Sequence, residues 1–261
     1  MKPVIVIPTY QEAKTLPLVL DQILGLDAGF NVLIVDDNSP DGTGRIANEY
    51  AAKTSAIRVH HRPAKMGLGS AYIDGFLRVL EEGADVVLEM DADRSHNPRH
   101  LPALLEKVKT DADVAIGSRY VNGVRVENWP FRRLLLSRFA NRWVNLVTGM
   151  PPEVVSDITS GFRAYRRAVL EAIALKTVRS NGYSFQIEMA YRAWRLGFRV
   201  REVPIMFEEH YLSSSKFSRA IVVEALWRTP LLRFTAPRRG RAENASLRGK
   251  TDAKKPSIPP P

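Results

Sequence analysis

The stretch Val86-Val-Leu-Glu-Met-Asp-Ala-Asp-Arg-Ser-His96 places a short apolar run directly before two acidic residues, Asp91 and Asp93. Other short runs rich in Val and Ile occur at Val4–Ile7, Val32–Val35, Ile57–His61 and Val114–Gly117. The segments between them carry apolar residues at helical spacing. Short strands that alternate with helices predict βαβ units, and therefore an α/β fold with a mostly parallel central sheet and helices on both faces.

In such a sheet, ligands bind beyond the carboxyl ends of the strands, so we expect the chemistry in the segments that follow them. These segments are Pro8–Glu12, Asp36–Thr43, Asp91–His96 and Gly117–Tyr120. Side chains at positions i and i+2 of a strand point to the same side, which places the carboxylates of Asp91 and Asp93 together. Two such carboxylates suit Mg²⁺ or Mn²⁺ bound to a diphosphate.

The composition narrows the class of protein. The chain has 261 residues, no Cys and a net charge of +10. Without Cys, a thiol nucleophile, a disulfide framework and a Cys-ligated metal are excluded. The sequence contains no Walker loop and no GxSxG hydrolase motif. It also has neither a signal-peptide pattern nor an apolar run of about 18 residues, so we expect a cytoplasmic location.

The excess of basic residues indicates an anionic partner: nucleic acid, a membrane surface or a phosphorylated substrate.

The basic residues are concentrated in two places. Residues 237–261 contain five Pro, seven Lys or Arg and two acidic residues, which predicts a disordered basic tail. Residues 128–152 contain four Arg and no acid, with Leu135, Phe139, Trp143 and Leu146 at helical spacing. This pattern favours a helix at a membrane interface, with an ordinary core helix as the alternative. Residues 220–236 are also apolar and leave the same two interpretations open.

Eight motifs in order carry a family resemblance: PTYQE (8–12), VDDNSPDGT (35–43), KMGLGSAY (65–72), EMDADRSH (89–96), GSRYVNG (117–123), SDITSGFR (156–163), GYSFQIEM (182–189) and EVPIMF (202–207). Together they resemble the dolichol- or polyprenol-phosphate mannose synthases, which are inverting family-2 glycosyltransferases of the GT-A fold. The resemblance covers Val4 to about Phe217. It implies one Rossmann-like GT-A catalytic domain over residues 1–219, followed by an amphipathic, membrane-contacting segment (220–236) and the tail (237–261).

The resemblance also implies the reaction and its partners. Mannose passes from GDP-mannose to a polyprenyl (dolichyl-type) phosphate with inversion, and Mg²⁺ or Mn²⁺ is the cofactor. The enzyme is expected at the cytoplasmic face of a membrane, bound peripherally, in some relatives beside a separate membrane subunit. A phosphate acceptor is already anionic and needs no strong general base.

Roles are implied residue by residue. Residues that would hold the base and ribose are Pro8, Tyr10, Glu12, Val35 and Asp37. Asp91 and Asp93, with the Ala92 backbone between them, would hold the metal against the diphosphate, which Lys216 would also contact. The acceptor phosphate would be bound by Arg119, Arg133 and Ser137. Asp157 would lie near the anomeric carbon, where we expect it to position groups or stabilise positive charge. Gln186 and Glu188 would line the sugar pocket.

The sequence departs from the family pattern at three positions. His210 stands where the family has an Arg that binds phosphate, and its cationic charge depends on pH. Arg219 could substitute for that Arg. Ser213 replaces a Gly, which restricts the backbone there. Ser95 stands where some relatives supply a Gln to the metal, so we expect water to complete the coordination.

The sequence leaves one other function open and disfavours two more. A family-2 transferase that moves another sugar, such as glucose from UDP-glucose, to a polyprenyl phosphate remains open, because these residues fix neither base nor sugar. A nucleic-acid-binding module is disfavoured, since the strand ends are acidic instead of basic and aromatic. A catalytically inactive subunit is disfavoured because Asp91, Asp93 and Lys216 are all present.

Overall fold

The computed structural model describes residues 1–26, 28–127, 129–208 and 229–237. The strands are β1 (Pro3–Thr9), β2 (Asn31–Asp36), β3 (Ile57–His61), β4 (Val86–Glu89), β5 (Val114–Ser118), β6 (Val126–Glu127), β7 (Arg163–Arg166), β8 (Val200–Pro204) and β9 (Phe207–Glu208). The α-helices are α1 (Leu16–Leu24), α2 (Thr43–Lys53), α3 (Leu68–Glu81), α4 (Leu101–Thr110), α5 (Phe131–Thr148), α6 (Arg167–Ala172) and α7 (Gly182–Arg195). Short 3-10 helices span Pro98–His100 and Leu175–Thr177.

Seven strands form the main sheet, in the order β3-β2-β1-β4-β7-β5-β8. All neighbours are parallel except that β7 runs antiparallel to β4 and β5. The predicted mostly parallel sheet is therefore confirmed. Sequence patterning did not reveal the inserted strand β7, because Arg163-Ala-Tyr-Arg166 is short and polar at both ends.

The β-branched residues of the strands build two separate cores, one on each face of the sheet. Apolar residues of α1 and α4 pack on one face against Ile5, Ile7 and Ile34. Those of α3 and α7 pack on the opposite face against Val6 and Val35. Burial on both faces explains why the strands are continuously apolar, and the helices that the sequence predicts on both faces are present.

Helix α5 buries a mostly polar face and exposes several large apolar side chains. Its buried face carries Ser137, Asn141, Asn145 and Thr148, whereas its exposed side carries Phe131, Leu135, Phe139 and Leu146. Asn141 Nδ2 donates to the Ser137 carbonyl within the helix (2.9 Å), and Asn145 Nδ2 donates to the Val155 carbonyl outside it (2.9 Å). The bond from Asn145 and the packing of Val144 in the core hold the helix on the domain, while several of its large apolar side chains face outward.

The C-terminal part of the described chain packs on the domain. Residues 229–235 are helical. Leu232 and Ala236 are buried in the core that contains α7, and Arg195 Nη1 donates to the Arg233 carbonyl (2.6 Å). The predicted membrane-contacting segment is described only in this portion, and residues 238–261 of the predicted tail lie outside the described residues. Within the described ranges, no helix has both the length and the apolar character needed to cross a bilayer.

Candidate active site

A cleft of about 280 Å³ opens at the carboxyl ends of β1, β2 and β4. The predicted donor residues that line it are Pro8, Tyr10, Glu12, Asp37, Asp91, Ala92 and Asp93. The rest of its lining is Thr9, Lys65, Gly67, Leu68 and Ala71. The cleft lies where a parallel sheet places its ligands, and it brings together residues that are far apart in sequence.

The two aspartates of the DAD motif lie in the turn that follows β4, since that strand ends at Glu89. Strand alternation is therefore not what places them together. Asp91 Oδ1 accepts from the Tyr72 hydroxyl (2.7 Å), and the Asp91 amide donates to Nδ1 of His96 (3.1 Å). Asp93 Oδ1 accepts from the Ser95 amide (2.9 Å). Each carboxylate is oriented through one oxygen.

Four carboxylates line this cleft: Glu12, Asp37, Asp91 and Asp93. Burial raises the pKa of Glu12 to about 7; the hydrogen bond from Thr15 opposes the rise, and the charges of Asp93 and Asp91 add to it. Burial likewise raises the pKa of Asp91, against the effect of His96 and with a contribution from Asp93. A cation would relieve this repulsion, and carboxylate oxygens are the ligands that Mg²⁺ and Mn²⁺ prefer. Among the described residues, no group of three or more His, Asp or Glu is placed to hold a metal. Asp91 and Asp93 have the chemistry of divalent-ion ligands, and their predicted role in holding the metal stays a prediction.

Asp37 is tied to the loop that follows β3. Its Oδ1 accepts from Arg62 Nη1 (2.7 Å) and its Oδ2 from the Met66 amide (3.1 Å). Asp37 and Arg62 are both buried. A carboxylate has about four lone-pair sites, so these two bonds leave room for a ligand. The neighbouring Lys65 ammonium lies 4.0 Å from the centre of the Tyr10 ring. The sequence predicts no site role for Lys65–Gly69, although the position of this stretch directly after a strand was a signal that it would line the site.

Arg119 and Asp157 form a buried, doubly hydrogen-bonded ion pair. Arg119 Nε donates to Asp157 Oδ2 (2.7 Å) and Nη2 to Oδ1 (2.6 Å), and the Arg119 amide also donates to Oδ2 (2.9 Å). Burial by itself lowers the pKa of Arg119, but the charge and hydrogen bonds of Asp157 raise it overall. The Asp157 amide donates to Glu202 (2.8 Å). Asp157 is thus engaged by Arg119 through both oxygens.

The other predicted acceptor residues lie beside this pair. Arg133 and Ser137 are on the first two turns of α5, and Ser137 Oγ accepts from the Tyr120 hydroxyl (2.7 Å). Burial raises the pKa of Tyr183, while Arg119 and Arg133 lower it and Asp91 and Asp93 raise it. Sequence reasoning gave Tyr183 no role.

The side chains of three predicted residues face the protein interior. Val35 belongs to the core and packs near Gly75. Gln186 is buried and donates to Glu89, whose pKa is raised to about 8 by burial against the effects of Arg163, Gln186 and Tyr165. Glu188 pairs with Arg192 (2.5 Å). Predicted roles for Val35 at the base and for Gln186 and Glu188 in the sugar pocket stay predictions, and any effect of these side chains would pass through neighbouring groups.

Four predicted or substituted positions, His210, Ser213, Lys216 and Arg219, lie outside the described residues.

Comparison with known proteins identifies the family. Residues 4–174 match the family model described as Glycosyl transferase family 2. The chain belongs to glycosyl transferase family 2. It is 48% identical over 225 residues to a polyprenol monophosphomannose synthase of Mycolicibacterium smegmatis, covering 86% of this chain and 84% of that protein. It is 47% identical over 226 residues to an undecaprenyl-phosphate mannosyltransferase of Micrococcus luteus, covering 87% and 91%. The family resemblance predicted from the motifs is confirmed by these relatives.

Solved structures support the GT-A fold. Glucosyl-3-phosphoglycerate synthase from Mycobacterium tuberculosis, in complex with Mn²⁺, UDP and glucosyl-3-phosphoglycerate, superposes with a TM-score of 0.65 at 20% identity, covering 90% of this chain and 81% of that chain. A mannosyltransferase from Pyrobaculum calidifontis, in complex with GDP-Man and Mn²⁺, superposes with a TM-score of 0.56 at 16% identity, covering 97% and 76%. At these identities the likeness shows the fold alone, and the predicted GT-A fold is confirmed.

Proposed function

We propose that the protein transfers mannose from GDP-mannose to the phosphate of a polyprenol, with inversion at the sugar, to give polyprenyl phosphomannose and GDP. The observation that carries the proposal is one site with two charges: an acidic cleft that suits a metal-bound diphosphate, and beside it a pair of arginines that suits a second phosphate. Contacts link the two parts: the Asp91 amide donates to Nδ1 of His96, the His96 ring centre lies 6.2 Å from that of Phe207, and Phe207 lies 5.4 Å from the guanidinium carbon of Arg119. The names of the two relatives at 48% and 47% identity support the same substrates.

The donor would occupy the cleft. Asp37 would accept N–H groups of the base, and Tyr10 would pack against the nucleoside. Asp91 and Asp93 would hold Mg²⁺ or Mn²⁺, and Mn²⁺ accompanies the nucleotide in the two solved neighbours. A bound divalent ion would act as a Lewis acid and neutralise the charge that develops on the leaving diphosphate. Lys216 would add a further positive charge there.

The acceptor phosphate would bind at Arg119 and Arg133, with Ser137 as a further partner. One phosphate oxygen attacks the anomeric carbon, the bond from that carbon to the diphosphate oxygen breaks, and GDP leaves with the electron pair. A single displacement inverts the anomeric carbon. No proton has to be removed from an anionic phosphate, so Asp157 would act by holding Arg119 in place and by placing negative charge near the sugar.

The acceptor's hydrocarbon tail has to stay in a bilayer while its phosphate reaches the site. The outward side of α5 suits this position, because Phe139 (61% exposed) and Leu146 (75% exposed) stand beside Arg138 and Arg142. Arg133 and Ser137 belong to the same helix. We therefore propose that the enzyme lies peripherally on the cytoplasmic face of a membrane, with α5 against the lipid.

One alternative keeps the same site but changes the donor. Glucosyl-3-phosphoglycerate synthase shares the fold and was solved with UDP, and a carboxylate at the base site would serve either nucleotide. Thermal stability measured with GDP-mannose, GDP-glucose, UDP-glucose and UDP-GlcNAc, each with Mn²⁺, separates the two. We expect the largest stabilisation with GDP-mannose, and a larger one with the uridine nucleotides would favour the alternative.

A further inference from the structure

The indole ring of Trp129 contacts both arginines of the proposed acceptor site. The guanidinium carbon of Arg119 lies 5.2 Å from the ring centre, and that of Arg133 lies 4.4 Å from it. Both distances are within the range of a cation–π interaction, which is about 6 Å. No sequence motif predicts a role for Trp129.

Two guanidinium groups can bind one phosphate together only when their relative positions suit it. Arg119 is fixed in place, because Asp157 holds it and its Nη2 also donates to Thr159 (2.9 Å). Arg133 stands on the separate helix α5. The indole ring attracts both cations and so fixes the second arginine relative to the first.

The ring itself is positioned by aromatic packing. Phe207 meets Trp129 edge-on, with ring centres 5.4 Å apart, and it also lies 5.4 Å from the guanidinium carbon of Arg119. Phe207 belongs to β9, which pairs with β6 just before Trp129. The indole nitrogen is buried and has no hydrogen-bond partner within the described parts of the chain. The contacts with Phe207 and with the two arginines therefore hold the ring, and its N–H group does not.

We propose that Trp129 is a positioning residue for the acceptor, which sets the arrangement of Arg119 and Arg133 before a polyprenyl phosphate binds. The inference rests on the proposed function only in that this site takes a lipid phosphate. It does not depend on which sugar is transferred. It also requires the aromatic face specifically, since an aliphatic side chain of similar bulk would fill the space without attracting a cation.

The test compares Trp129→Leu with the matched variant Trp129→Phe. Leu keeps an apolar side chain, whereas Phe also keeps a ring face. Binding of farnesyl phosphate in detergent micelles is measured directly by calorimetry. We expect Trp129→Leu to weaken it about tenfold and Trp129→Phe to stay within about threefold of wild type. In the transfer assay, the KM for the acceptor should rise in Trp129→Leu while the KM for the donor and kcat change little.

A double-mutant cycle with Arg133→Gln identifies the residue through which Trp129 acts. If Trp129 works by positioning Arg133, the combined variant should bind farnesyl phosphate no more weakly than Arg133→Gln alone. Additive losses would overturn the inference, as would equal behaviour of the Leu and Phe variants. A wild-type protein that binds farnesyl phosphate but transfers no mannose would contradict the proposed function and leave the Trp129 comparison decisive. A wild type that does not bind farnesyl phosphate would contradict both.

Discussion

Arg119 and Asp157 face each other through two parallel hydrogen bonds of 2.7 and 2.6 Å, and both side chains are almost completely buried. This ion pair determines the role that each of the two residues can have in the proposed acceptor site. Both Asp157 oxygens accept hydrogen bonds from Arg119, so Asp157 anchors that guanidinium. Arg119 is held in one orientation, with its guanidinium over Trp129. Asp157 thereby holds the Arg119 guanidinium in a fixed position at the proposed acceptor site.

Replacing Asp157 by Asn should therefore destabilise the protein, because Arg119 would remain buried without its counter-charge. Breaking a buried pair in this way costs about 3–5 kcal/mol. The free energy of unfolding in urea measures the effect. Glu49→Gln is the control, since Glu49 pairs with Arg45 on the exposed surface of α2 and such a pair contributes about 0.5 kcal/mol. Equal losses in the two variants would contradict the account.

Replacing Asp93 by Ala should remove metal binding and mannosyl transfer while the fold is retained, because the cleft then keeps only one of the two carboxylates assigned to the ion. Titration of Mn²⁺ followed by electron paramagnetic resonance measures the affinity directly. Asp111→Ala is the control: Asp111 is about half exposed and pairs with Lys107 on α4. Unchanged Mn²⁺ affinity in Asp93→Ala would mean that the ion is held elsewhere.

The raised pKa of Glu12 should appear in the pH dependence of stability. Its folded-state pKa is about 7 against an ordinary value of 4.5, so the folded protein disfavours the charged form. The stability associated with protonated Glu12 is present below pH 4.5 and is lost as the pH rises through about 7. Glu12→Gln removes this loss. Because Glu12 is only partly buried, the variant should gain about 1–2 kcal/mol relative to wild type between pH 4 and pH 8 without metal.

Urea unfolding at the two pH values, with and without Mn²⁺, measures this difference. A bound cation favours the charged carboxylate and should shrink the gap between the variant and wild type. If the stability difference between Glu12→Gln and wild type were the same at pH 4 as at pH 8, the carboxylate of Glu12 would have an ordinary pKa.

Membrane contact through α5 predicts that a charge on its exposed face weakens lipid binding. Phe139→Glu should reduce flotation with vesicles that contain anionic lipid, since it both removes apolar contact and adds repulsion. Leu18→Glu is the matched control, because Leu18 is also an exposed apolar residue but lies on α1, away from α5. Equal flotation of the two variants would show that α5 does not face the lipid.

The sequence could predict the parts of the fold that follow from repeated patterns. Continuous apolar runs indicated strands covered on both faces, and the residues that follow β1, β2 and β4 do line the cleft. It could not predict which face of an element a motif residue occupies. Gln186 belongs to a site motif, yet its position on α7 turns the side chain inward to Glu89. Tertiary packing decides such orientations.

The sequence also could not predict which distant segments contact each other. Nothing in the Lys65–Gly69 stretch indicates that the Met66 amide would bond Asp37, since the bond depends on how the loop after β3 folds back over β2. The same holds for Trp129, whose place beside Arg119 depends on the pairing of β6 with β9. The sequence motifs thus identify the charged residues of the site but not the residues that hold those charged groups in position.

Transfer of labelled mannose from GDP-mannose to undecaprenyl phosphate in the presence of Mn²⁺ tests the central claim most directly. The account predicts a labelled glycolipid that is cleaved by mild acid and stable to base, one GDP released for each mannose transferred, and no product with Asp93→Ala. Wild-type protein that gives no mannolipid, or that transfers glucose from UDP-glucose faster than mannose from GDP-mannose, would contradict it.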